Sequence, residues 1–258
     1  MDWQTITVTE DGGVATLALN RPAVMNALSS TLRRELLAAL RAVQTRARVI
    51  VLTGTGRAFC SGQDLQDAMA LGQADLGRIL AEEYEPLLMA IADCPVPTIA
   101  AVNGAAAGAG ANLALACDVV IATESASFIQ AFTRIGLIPD AGGTWWLPRQ
   151  VGMARAMGAA LFAEKITARQ AADWGMIWEV VPDDAFAAHV ATRAAGLAQG
   201  PTAAYRLLKQ ALRASPANDL PAQLALEARL QGQAGQTADF REGVAAFLEK
   251  RAPRFTGR

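Results

Sequence analysis

The chain has 258 residues, 52% of them hydrophobic, enough for one large domain or for a core with a small appendage. With 23 Lys and Arg against 24 Asp and Glu, it has no global field to draw it to nucleic acid or an anionic membrane, so partners must be recognised locally. Three cysteines without a CxxC pair and a single histidine offer no zinc constellation, so no metal is expected and a reducing cytoplasm is the simplest setting.

The first residues, MDWQTITVTEDGG, carry acids where a signal peptide has a basic segment, and no uninterrupted apolar run is long enough for a membrane helix. Residues 5–9 and 14–20 alternate apolar and polar around Glu10-Asp11-Gly12-Gly13, which predicts a hairpin. Helical spacing over 28–43 precedes a β-branched run, RVIVLT at 48–53, read as a buried strand, and a loop over 54–66. A helix over 76–92 is stopped before Pro95 and Pro97, and a second buried strand at 98–102 runs into Asn103-Gly104. Helix resumes near Ala109. Residues 118–122 and 177–181 are further strand candidates, and Thr167 to Gln170 has the spacing of a capping box. Strands and helices therefore interleave over 1–183, whereas 184–258 is almost purely helical, with helices expected at 184–198, 202–214, 219–232 and 238–251. These Ala- and Leu-rich helices suit packing on the chain's own core, on a neighbouring subunit, or as an ordinary amphipathic bundle.

Two glycine-rich stretches invite a phosphate-binding reading and fail it. The tract from Gly104 through Gly108 and Gly110 to Asn112 lacks the third glycine of a dinucleotide fingerprint and starts too far past its strand, and no Gly-Lys-Ser/Thr follows Gly54-Thr55-Gly56-Arg57. Small residues at a helix entrance instead leave backbone N–H groups uncovered, and such donors can hold a negative oxygen. The loop over 58–65 could supply a second donor from the other side. Taken alone, each loop also reads as a tight turn without chemistry.

Four segments in order, LNRPAVMNAL, VLTGTGRAFCSGQDL, IAAVNGAAAGAGANLALACDVVIA and GLIPDAGGTWWLPR, closely resemble the signatures of the crotonase (enoyl-CoA hydratase/isomerase) superfamily, and the final DFREGVAAFLEKRAPRFTGR is similar to its C-terminal helix and tail. The resemblance spans nearly the whole chain. It implies an α/β fold, a crotonase-like (ClpP/crotonase) spiral of ββα units, with a helical C-terminal region that drives trimerisation, as a homotrimer or a hexamer built as a dimer of trimers. It also implies an acyl-CoA thioester as substrate, with coenzyme A part of that substrate and no separate cofactor. By position, the oxyanion-hole N–H groups belong to Gln63 and Ala109. Ala58, Ser61, Gly62, Asp64 and Leu65 match the segment that wraps the adenine and pantetheine, and Lys250 would reach a CoA phosphate or remain a solvated surface charge. Asn112, Phe132 and Trp145 would shape the acyl pocket, the tryptophan having a core role as its alternative.

Hydratases of the family hold water between two glutamates, and here those positions are Asn112 and Phe132, neither of which can act as a general base. What remains is Asp140. Some isomerases of the family resemble this chain in placing their acid/base carboxylate there, and CSGQDL, FTRIGLIPDAGGTWWLPR and QAADWGMIWEVV are most similar to its ring-epoxide isomerases. The resemblance thus implies a one-carboxylate proton shuttle that converts ring-1,2-epoxyphenylacetyl-CoA to oxepin-CoA and could also move a 3-enoyl-CoA double bond to the 2 position. Ile138, Ala141, Trp145 and Phe132 are the apolar neighbours expected to raise its pKa. Rival readings are a hydratase, an acyl- or aryl-CoA hydrolase or dehalogenase with Asp140 as nucleophile, and an RNA-binding relative, which the balanced charge disfavours. His189, the lone histidine, falls in a helical stretch after these motifs and reads as structural.

Overall fold

The computed structural model describes residues 2–70 and 75–258. Strands β1 (Ile6–Asp11) and β2 (Val14–Leu19) pair antiparallel across Gly12 and Gly13, whose φ angles of 54° and 83° form the turn. Alternate residues of β2, Ala15, Leu17 and Leu19, enter the core. Helix α1 (Ser30–Val43) is capped by the Ser29 hydroxyl, which accepts from the Leu32 N–H at 3.3 Å, and buries Leu32, Leu36, Leu40 and Val43. Leu28, expected as its first residue, instead pairs with Gln63 in an isolated parallel bridge.

Three successive turns of chain then each contribute one strand to a large sheet and one to a small sheet. The first holds β3 (Val49–Gly54) and β4 (Ala58–Cys60), followed by α2 (Leu65–Ala70), α3 (Leu76–Ile79), a π-helical turn (Leu80–Tyr84) and α4 (Glu85–Ala92). The second holds β5 (Thr98–Val102), β6 (Ala105–Ala107) and α5 (Ala109–Leu115). The third holds β7 (Val119–Thr123), β8 (Ser127–Ile129), a 3-10 turn (Ala131–Ile135), α6 (Gly143–Val151) and α7 (Met153–Phe162). Strand β9 (Ile166–Thr167), α8 (Ala168–Asp173) with its Thr167–Gln170 capping box, and β10 (Glu179–Val181) complete both sheets.

The large sheet has the order β1-β2-β3-β5-β7-β10 and is parallel from β2 onward; the small one runs β4-β6-β8-β9. This is a spiral of ββα turns. The sequence predicted no second sheet, and β4 falls within the loop expected over 54–66, because a strand three residues long cannot display a period of two.

Helix α9 (Phe186–Ala198) covers one face of the large sheet, packing Val190, Ala194 and Ala198 on Val49, Val51, Ile99 and Ile121. Helix α10 (Thr202–Ala214) is tied to the core through Asp118, which pairs with Lys209 at 2.6 Å and Arg213 at 2.8 Å. Helices α11 (Leu220–Ala234) and α12 (Ala238–Leu248) follow, and the buried Asp239 accepts from the Thr256 and Gly257 N–H groups, fastening the tail. The C-terminal helices leave Leu208, Leu212, Leu224, Phe240 and Phe247 more than half exposed. Among the described residues, no helix is long and apolar enough to cross a membrane.

Candidate active site

Helix α5 begins directly after Gly108, whose φ of 52° and ψ of −128° turn the chain sharply out of β6. Its first internal bond runs from the Asn112 N–H to the Gly108 carbonyl at 3.2 Å, so the Ala109 N–H has no acceptor within the helix. Helix α5 lies tight on β4: a Cβ at Gly110 would stand 2.5 Å from the Cys60 carbonyl oxygen.

On the facing loop, Leu28 holds the peptides flanking residue 63, donating to the Gly62 carbonyl at 2.8 Å and accepting from the Asp64 N–H at 3.3 Å. The Gln63 N–H between them makes no backbone hydrogen bond among the described residues. The two loops touch at Gly62, where a Cβ would lie 3.4 Å from the Ala109 nitrogen and 2.7 Å from the Ala107 oxygen. Residues 63 and 109 thus bring two uncommitted main-chain donors to one place, an arrangement suited to a developing oxyanion.

Asp140 sits on the loop before α6, ahead of Ala141 at φ 48° and Gly142 at φ 79°. Its main-chain carbonyl accepts from the Gly143 N–H and from Asn112 Nδ2, both at 2.8 Å. Its carboxyl is held less: Oδ1 is buried and has no hydrogen-bond partner among the described residues. Burial pushes this carboxyl up to about 6, partly offset by a main-chain hydrogen bond. An acid that titrates near neutrality with a free oxygen can both take and return a proton.

A cavity of about 300 Å³ joins these parts. Ser61, Gly62, Gln63, Leu65, Ala109, Phe132 and Asp140 all line it, as do Tyr84 and Leu137. The other sequence candidates lie outside it. Ala58 is buried in β4, and Asp64 braces its own loop through Arg21 at 2.8 Å and the Gln66 and Asp67 N–H groups. Asn112 is wholly buried beneath the cavity, its Oδ1 accepting from Gln130 Nε2 at 2.8 Å while its Nδ2 holds Asp140. Trp145 turns outward, 41% exposed, edge-on to Trp146 and stacked under Arg149 at 4.1 Å. Lys250 is exposed just beyond α12. Of the four apolar neighbours expected for Asp140, Phe132 alone lines the cavity: Ala141 is buried behind it, while Ile138 is 77% exposed and Trp145 faces away. The apolar wall comes instead from Phe132, Leu137, Ile79, Leu80 and Tyr84.

One group escaped the sequence reading. Arg33 lies on the inner face of α1 with 1% of its side chain exposed, pairs with Glu83 at 2.7 Å, and covers the Tyr84 ring at 4.7 Å. Its signal was present: an arginine beside Leu32 on a helix face that must be buried needs an anionic partner. Burial raises the Glu83 carboxyl, but hydrogen bonds from Arg33 and Ser30 outweigh it and hold the group below its ordinary range. Burial likewise raises the Tyr84 phenol. Among the described residues, no cluster of three or more His, Cys, Asp or Glu could hold a metal.

The enoyl-CoA hydratase/isomerase family profile matches residues 9–258. The chain is 66% identical, over the full length of both proteins, to a "Probable enoyl-CoA hydratase" of Rhodobacter capsulatus. It is 49% identical to the 1,2-epoxyphenylacetyl-CoA isomerase of Escherichia coli, covering 95% of this chain and 96% of that one. The crystal structure of an enoyl-CoA hydratase from Bacillus anthracis superposes with a TM-score of 0.94 at 34% identity, covering 99% of this chain and all of that one.

Proposed function

The chain belongs to the enoyl-CoA hydratase/isomerase family, and on that premise we propose that it is an isomerase of acyl-CoA thioesters, most specifically of ring-1,2-epoxyphenylacetyl-CoA, which it converts to oxepin-CoA. The observation that carries this reading is that Asp140, whose buried Oδ1 has no hydrogen-bond partner among the described residues, lines one cavity with Gln63 and Ala109, whose N–H groups make no main-chain hydrogen bond there. In the proposed reaction, Asp140 takes the proton alpha to the thioester and the enolate oxygen is held by the two N–H groups. As the π electrons shift, the C–C bond shared by epoxide and ring breaks, widening the six-membered ring to the seven-membered oxepin with both C–O bonds kept, and the proton returns to a ring carbon of the extended enolate, so atoms and charge balance without a co-reactant. The same shuttle serves 3-enoyl to 2-enoyl isomerisation. Loss of one oxyanion donor costs roughly 3 kcal/mol of transition-state stabilisation, about a hundredfold in rate.

A hydratase reading is favoured by the name of the 66% identical relative. Against it, the two residues placed where the family's hydratases carry water-handling glutamates offer no base: Asn112 spends its amide on the Asp140 carbonyl and on Gln130, and Phe132 presents a ring. The deciding experiment incubates the protein with epoxyphenylacetyl-CoA, a 3-enoyl-CoA and crotonyl-CoA. Isomerisation of the first two with negligible hydration of the third is expected; efficient hydration overturns the reading. Incorporation of labelled oxygen into Asp140 during turnover would instead reveal a nucleophile. We further propose that the exposed apolar residues of α10 to α12 meet other copies of the chain in a trimer or a dimer of trimers.

A further inference from the structure

We propose that Arg33 and Tyr84 are positioning residues that lock Gln63, and through it the main-chain N–H that polarises the thioester carbonyl. The proposal rests on the oxyanion role of residue 63 given above. Gln63 Oε1 accepts from two donors at once, the Tyr84 hydroxyl and Arg33 Nη1 at 3.0 Å. The same Nη1 donates to the carbonyl of Leu28, the residue whose main chain holds the peptides on either side of Gln63. Residue 63 is therefore gripped through both its side chain and its backbone by one guanidinium.

A guanidinium with 1% exposure is costly unless its donors are met, and here Nε and Nη2 both bond Glu83 Oε2, at 3.0 and 2.7 Å. Glu83 and Tyr84, which reach Arg33 together, are the last two residues of the π-helical turn Leu80–Tyr84. If the group served α1 packing alone, a leucine would fill the space without desolvating a charge. The phenol hydroxyl is committed to Gln63, so Tyr84 offers the cavity only its ring and acts through Gln63 instead of on the substrate. An amide held on both sides loses no alignment when charge develops on the oxygen it faces.

The test uses Tyr84→Phe, Gln63→Leu and the double variant, with phenylacetyl-CoA as probe, read by the infrared carbonyl band of the bound thioester and by deuterium exchange at its alpha carbon. The parent should shift the bound carbonyl band to lower frequency. Tyr84→Phe should lose at least half that shift and slow exchange about tenfold with KM and circular dichroism unchanged, and adding it to Gln63→Leu should cause no further loss. Full band shift and rate in Tyr84→Phe, multiplying losses in the double variant, or no shift in the parent would each overturn the proposal. Asp140→Asn separates this from the shuttle: it should abolish exchange yet keep the band shift, and exchange persisting there would defeat the shuttle while leaving the carbonyl result to judge the positioning pair.

Discussion

The side chain of Asn112 donates from Nδ2 to the main-chain carbonyl of Asp140 at 2.8 Å, tying helix α5, which begins at the proposed oxyanion donor Ala109, to the loop that carries Asp140. Asn112 thus acts as a strut between two segments 28 residues apart. Gly143 makes room for it, since a Cβ there would stand 2.4 Å from Asn112 Nδ2. Asn112→Ala should leave the Gln130 amide without its acceptor and destabilise the fold by about 1–3 kcal/mol, measured by urea unfolding. Exchange at the alpha carbon should fall with it, because the loop bearing Asp140 loses one of two anchors.

The pH dependence follows from Asp140. Because burial raises its carboxyl to about 6, and the ionised form is the base of the proposed shuttle, kcat/KM should climb as pH rises through about 6 and level off above it. A profile of exchange against pH checks this; an acid limb centred in the ordinary carboxylate range would contradict the burial of Asp140.

Stability should move in the opposite sense. The folded state binds the Asp140 proton more tightly than the unfolded chain, so its favourable contribution is complete below the unfolded pKa and is lost as pH rises through about 6. Asp140→Asn, which carries no charge to desolvate, should stabilise the protein by on the order of 2 kcal/mol at about pH 7.5, after allowance for the carboxyl's partial exposure, and by almost nothing at about pH 4. Thermal unfolding of both proteins at the two pH values measures the difference.

Gly62→Ala should injure catalysis more than binding. The position has φ 92°, and its Cβ would press on the Ala107 carbonyl at 2.7 Å, so the loop must move away from α5. We expect about a hundredfold loss in kcat with a smaller change in KM, as for removal of an oxyanion donor. Steady-state kinetics on a 3-enoyl-CoA would show it.

Leu212, 62% exposed on α10, and Leu224, 53% exposed on α11, flank one groove. In the proposed trimer or dimer of trimers, Leu212→Glu should shift the protein toward single chains of 27.1 kDa in sedimentation equilibrium, whereas the parent should sediment as a multiple of three.

Much of the fold was legible in local pattern. The opening hairpin, the buried strands expected at 48–53 and 98–102 and found at 49–54 and 98–102, the Thr167–Gln170 capping box and the helical end each depend on periodicity or turn chemistry within a few residues. Asp140 also stood out, as an acid placed between an apolar run and paired glycines. Tertiary structure decided the rest. It turned Trp145 outward, sent Asn112 to a partner 28 residues away, and buried Arg33 against Glu83, 50 residues along the chain. Periodicity says which face of an element is buried, but the partner that a buried polar side chain finds is set by packing between distant segments, and no local pattern encodes that distance.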